Sequence, residues 1–164
     1  MKRRKIESVA LLLVALLVAA GAMAQPMKRG STMHATGTFK VNVKPTEVSP
    51  VGKEAGLGVM TIDKTWSGAI EGTSKGQMTT SVTGKAMAYV ALESMKVKVD
   101  GHSGTFVFMH SATMMSDDPQ AAMLNVTVVP NSGTGDLAGI EGKLKIMIDK
   151  TGHSYDFEYT MPAR

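Results

Sequence analysis

From residue 33 onward the chain alternates apolar and polar side chains with a period of two over most of its length. In residues 34–43 (HATGTFKVNV), Ala35, Gly37, Phe39, Val41 and Val43 fall on one face, the signature of a half-buried β-strand. The same alternation predicts strands over residues 59–68, 69–82, 85–99, 105–113, 122–129, 143–149 and 154–161. Turn residues punctuate them. Asp100-Gly101 is a hairpin signal, Ser116-Asp117-Asp118-Pro119 turns the chain again, and Thr151-Gly152 joins the last two strands. Residues 45–58, with two prolines and three glycines, read as a long loop. No run of helical period separates the strands.

Eight sequential strands with mostly short connections predict an all-β fold, an eight-stranded antiparallel closed barrel. Closure removes the exposed sheet edges that an open meander would leave. A two-sheet sandwich is the competing architecture. A barrel of this size is either filled by side chains or holds one small ligand.

The N-terminus departs from this pattern. Lys2, Arg3, Arg4 and Lys5 precede an apolar run over residues 9–20, and Ala22-Met23-Ala24 supplies small residues before a cut. This is the layout of a secretory signal peptide over residues 1–24, cleaved before Gln25. The run is shorter than the ~20 residues a membrane span needs. With no cysteine to carry a lipid, the product is expected to be periplasmic or secreted, with no stable membrane anchor after processing. Residues 25–32 then form a flexible lead-in, and 33–164 a single barrel domain.

Processing also changes the charge. The full chain has 18 basic and 14 acidic residues, net +4. Without residues 1–24, which hold four basic residues and Glu7, 14 stand against 13, or +1. The basic excess is mostly targeting, so nucleic acid is not an expected partner. Zero cysteines exclude disulfides, a thiol nucleophile and cysteine-ligated zinc. The core alone must hold the fold.

Gly133-Thr134-Gly135-Asp136-Leu137-Ala138 fits a dinucleotide fingerprint in letters. Such a loop must open a helix onto the phosphates. Here Gly139 and Gly142 interrupt, and 143–149 alternates as a strand. The segment is read instead as a loop with one helical turn, capped by Asp136, crossing a barrel end, and no cofactor is expected.

TWSGAIEGTSKG (65–76), YVALE (89–93), DGHSGTFVFMHSAT (100–113) and VVPNSGTGDLAGIEG (128–142) together resemble the bacterial domain-of-unknown-function family 3224. Its members look like barrels similar to plant allene oxide cyclase. The resemblance covers roughly residues 33–161 and implies an eight-stranded antiparallel barrel with no established activity. The sequence departs from the family pattern at Ala122–Asn125 and Ser94–Val97.

Candidate chemistry is sparse. Glu71, Glu93 and His110 lie on strands with apolar neighbours. Glu93 shares a face with Tyr89, Ala91 and Met95, and His110 with Phe106 and Phe108. A carboxylate or imidazole held inside a barrel is a candidate acid or base, and Glu93 and His110 are the catalytic candidates. Glu71, Tyr89, Glu93, His110 and Trp66, placed in the barrel or at its mouth, are the ligand-binding candidates. The bland alternative gives these residues register-fixing or solvent-facing roles. His102 and His153 follow glycines and read as exposed turn residues, and His34 has no acidic neighbour in sequence. No G-x-S-x-G elbow supports a serine hydrolase.

Methionine is abundant, with 14 in the chain. Met33-His34, Met109-His110 and Met114-Met115 offer soft ligands for copper(I), but scattered strand methionines more simply fill core gaps, and no metal site is assigned. Three readings result: a binder of a small apolar or amphipathic molecule, an isomerase or cyclase using Glu93 or His110, and a structural or homo-oligomerising module with a filled interior and no ligand. A cavity of a few hundred Å³ lined by Glu93 or His110 would separate the first two from the third.

Overall fold

The structure, a computed structural model, describes residues 30–118 and 122–163. The basic and apolar N-terminal run and its cleavage site lie outside the described residues. Eight strands follow in chain order: β1 (Met33–Pro45), β2 (Gly58–Gly68), β3 (Ile70–Thr83), β4 (Ala86–Val99), β5 (His102–Met115), β6 (Met123–Val128), β7 (Glu141–Asp149) and β8 (Gly152–Thr160). Each pairs antiparallel with its neighbours, and β1 pairs with β8, closing a barrel. A sandwich is excluded.

Two expectations need correction. The loop over residues 45–58 contains a short helix, α1 (Pro50–Glu54), started by Ser49, whose Oγ accepts from Gly52 N at 3.1 Å. Pro50 at the first helical position has no N–H to leave unpaired. The turn after β6 is a 3₁₀ turn over Gly135–Leu137 whose N-cap is Thr134, not Asp136. Asp136 instead accepts from Ser103 N at 3.3 Å, tying the loop to the start of β5.

Alternation fixes which side chains point inward. The buried set on β4 is Ala91, Glu93, Met95, Val97 and Val99; on β5 it is Phe106, Phe108, His110 and Ala112. One end of the barrel is closed by the β2–β3 and β4–β5 turns and by residues 129–140. There Leu137 and Ile140 plug the bore above Phe106, Phe108, Phe157 and Val99. Phe157 stacks between Phe106 and Tyr159, with ring centroids 5.9 and 5.2 Å away. Two tyrosines of β8 tie this end together. Tyr155 Oη accepts from Ile70 N at 2.8 Å, and Tyr159 Oη donates to Asp100 at 2.6 Å. Burial and the Asp100 contact push the Tyr159 phenol well above its ordinary range.

The closure is uneven. β3 and β4 pair along their whole lengths, from Ile70↔Val99 to Thr83↔Ala86. β6 and β7 share one ladder position, Thr127↔Lys143.

Candidate functional site

Lys64, Ser74, Glu93 and His110 point inward from four consecutive strands, β2 to β5, and meet at mid-height in the bore. The register explains the meeting. Lys64 lies opposite Ser74, Ala91 opposite His110, and Glu93 opposite Gly76. Gly76 lets β3 lie close against β4 at Glu93: a Cβ there would sit 3.0 Å from Glu93 Cα and 2.6 Å from Leu92 O.

Lys64 Nζ donates to Glu93 Oε2 at 2.8 Å. Ser74 Oγ donates to Glu93 Oε1 and accepts from Trp66 Nε1 at 2.8 Å. His110 Nε2 lies 2.9 Å from Glu93 Oε2, off the line of a directed hydrogen bond, and makes no other. The Lys64 ammonium also sits over the Phe39 and Trp66 rings, 4.8 and 5.1 Å from their centroids, so both its charge and its stem are sheltered. Glu93 is 0% and His110 3% exposed.

Burial alone would raise the Glu93 carboxyl. Contact with His110, the charge and hydrogen bond of Lys64, and the Ser74 hydroxyl outweigh it and hold the group down to about 2. An ionised carboxylate with such partners is a weak base. It is positioned as the counter-ion of a buried lysine, and none of the cavities described here reaches it.

The structure thus brings together Glu93, His110 and Trp66 and leaves two candidates apart. Glu71 is exposed on the outer wall, because it alternates with inward Ile70 and Gly72. Tyr89 is half-buried farther from the Leu137–Ile140 plug, where burial and the charge of Glu93 push its phenol up. Sequence reading missed Lys64 and Ser74. Their alternation with Ile62 and Trp66, and with Gly72 and Gly76, carried the signal, but lysine and serine usually mark the wet face. His34 gains an acidic partner across the β1–β8 ladder, Asp156, at 2.8 Å. His153 is a half-buried strand residue, its ring 5.0 Å from that of Phe39. The adjacent pairs Met33-His34, Met109-His110 and Met114-Met115 are split between opposite faces by the two-residue period, so no such pair can close on one ion.

A second feature lies on the outer wall. Three cross-strand rows run over β3, β4, β5 and β6: Ser81–Ala88–Thr113–Met123, Thr79–Val90–Ser111–Asn125 and Gln77–Leu92–Met109–Thr127. None of these residues is charged. With Leu57 and Tyr89, the first two rows form an open groove of about 620 Å³. The opposite wall differs, with rows such as Lys145–Asp156 and Lys143–Glu158–His34.

The fold and site define a small antiparallel barrel with a sealed interior, a buried lysine–glutamate pair and an uncharged outer groove. The chain belongs to the family described as protein of unknown function (DUF3224), whose model matches residues 35–159. It is similar to a crystal structure of a protein of unknown function from that family in Shewanella oneidensis MR-1. The two are 33% identical, the match covers 82% of this chain and 100% of the other, and the TM-score is 0.69. No curated protein matches the chain.

Proposed function

We propose that this is an exported binding module that acts without catalysis, holding a small apolar or amphipathic molecule in the outer groove rather than in the bore. The observation that carries this reading is the groove itself. Its volume of about 620 Å³ falls within the few-hundred to ~1,000 Å³ range of small-ligand sites. Its lining combines apolar Leu57, Ala88, Val90 and Met123 with the neutral polar groups of Thr79, Ser111 and Asn125. An uncharged lining favours a neutral ligand, since a charged one would lose hydration without gaining a partner. The cyclase-type alternative would need substrate to reach Glu93 or His110, both sealed in the bore.

Nile red, a neutral apolar dye, tests the binding reading. Saturable one-site binding is expected, with at least tenfold weakening in Val90→Glu at an unchanged thermal midpoint. Absent or non-saturable binding overturns it. The second reading, a purely structural barrel, is favoured by the filled interior around Glu93 and would then stand. Export is tested separately by N-terminal sequencing of the protein recovered from expressing cells. The first residue is expected to be Gln25, and a chain starting upstream at full length refutes processing.

A further inference from the structure

The two-residue period that splits the adjacent methionine and histidine pairs brings others together across the ladder. Met60 on β2 pairs with Met78 on β3, Met78 with Ala91 on β4, and Ala91 with His110 on β5. All four positions alternate into the bore, so Met60, Met78, Ala91 and His110 form one inward row. The row carries two thioethers and one imidazole. Ala91 is small, which leaves Met78 and His110 room to lean toward each other above it.

Filling gaps in the core does not account for these methionines. Met95 has that role, fully buried within the hydrophobic cluster. Met60 and Met78 are only half-buried and stand outside that cluster and the side chains packed against it. His110 is the second anomaly in the row. It is buried, yet its Nε2 has no hydrogen-bond partner, a costly state for a polar atom without water. Glu93 does not depend on it, because Lys64 satisfies one carboxylate oxygen and Ser74 the other. The imidazole can therefore turn to a further ligand while Glu93 keeps both hydrogen bonds.

We propose that Met60, Met78 and His110 form a site for one soft monovalent cation, copper(I). Thioether and imidazole donors suit copper(I), whereas magnesium and calcium take oxygen ligands. Among the described residues no three of His, Asp and Glu come together as ligands, so harder ions find no such set. Charge selects as well. Lys64 and Glu93, 2.8 Å apart, already form a neutral pair, so any bound ion leaves its own full charge in the bore. Burying charge is costly, and a divalent ion would cost more than a monovalent one. The half-buried thioethers give the ion its way in, and a single ion needs no cavity of substrate size. The site is separate from the outer groove and does not depend on whether the groove holds a small molecule.

Copper(I) offered from a coloured competing chelator to the protein recovered from expressing cells is expected to bind as one ion per chain. Met60→Leu and Met78→Leu, which keep side-chain volume, should each weaken binding at least tenfold with an unchanged circular dichroism spectrum. Met87→Leu/Met114→Leu, in another inward cross-strand pair, should leave it intact. Silver(I), a redox-inert substitute, supplies a second readout that needs no substitution. In magnetic resonance spectra of protein labelled at its methionine methyls, one equivalent should shift Met60 and Met78 together with the His110 ring. Buried Met95 and exposed Met109 and Met123 should stay in place. Failure to take copper(I) from the chelator overturns the proposal. So does binding that survives both leucine substitutions or is lost in Met87→Leu/Met114→Leu. Silver shifts led by Met109 and Met123 would mean adventitious surface binding only, and would overturn it too.

Discussion

At Glu93 one carboxylate gathers a lysine, a serine hydroxyl and an imidazole, and the balance among them decides what the site is. Removing two charges from water costs several kcal/mol per ion, which only good mutual geometry offsets. Lys64 Nζ at 2.8 Å, with Ser74 on the second oxygen, supplies it. Glu93→Gln should therefore destabilise by about 3–5 kcal/mol, because it strands the Lys64 ammonium. Adding Lys64→Met should recover a substantial part of that loss, and a double-mutant cycle in urea gives the coupling. The pH dependence follows from the lowered carboxyl. Glu93 falls from an ordinary 4.5 to about 2 on folding, so the unfolded chain binds its proton first as pH drops. The contribution is fully present above pH 4.5 and lost between there and about pH 2. Two to three pH units correspond to roughly 3 kcal/mol. Thermal midpoints across this window should fall less steeply in Glu93→Gln than in wild type; parallel curves would place the acid sensitivity elsewhere.

Among the elements, strand alternation and turn chemistry were readable, and register was not. Asp100 and Gly101, with φ of 47° and 84°, form the hairpin their order predicts, since such turns need two positive-φ residues. Glu93 and His110 were recognised as sharing apolar faces, but neither Lys64 nor Ser74 was placed with them. Their meeting depends on pairings 10 to 29 residues apart that only the assembled ladder fixes. The segment over residues 129–140 was read as crossing a barrel end, and it does. Its anchor, Thr134 against Thr105, was not visible, because it depends on how closely the loop lies on β5. Gly104 permits that closeness: a side chain there would collide with the Thr134 carbonyl and press on Leu137. Gly104→Ala should lift this plug and cost about 1–3 kcal/mol, as overpacked sites do. Urea unfolding of the variant measures it, and an unchanged midpoint would mean the loop yields freely.

Over the whole molecule, stability should follow the unevenness of the closure. β3 and β4, laddered from end to end, form the rigid back of the barrel. The β6–β7 junction, held at Thr127↔Lys143, is its weakest seam. Native-state hydrogen exchange should place amides of β3 and β4 among the slowest and, among the fastest strand amides, those within residues 123–126 and 144–148 that face the seam rather than β5 or β8. Uniform protection around the barrel would contradict a weak seam. The two-residue period and glycine punctuation determined by themselves that the chain is a meander of eight strands. Both signals are local, and a local signal survives in the sequence. The buried Lys64–Glu93 pair, the uncharged outer wall and the uneven pairing of β6 with β7 were decided only in three dimensions. Each depends on which strand lies beside which and in what register, and an alternating sequence permits many such pairings until the barrel selects one.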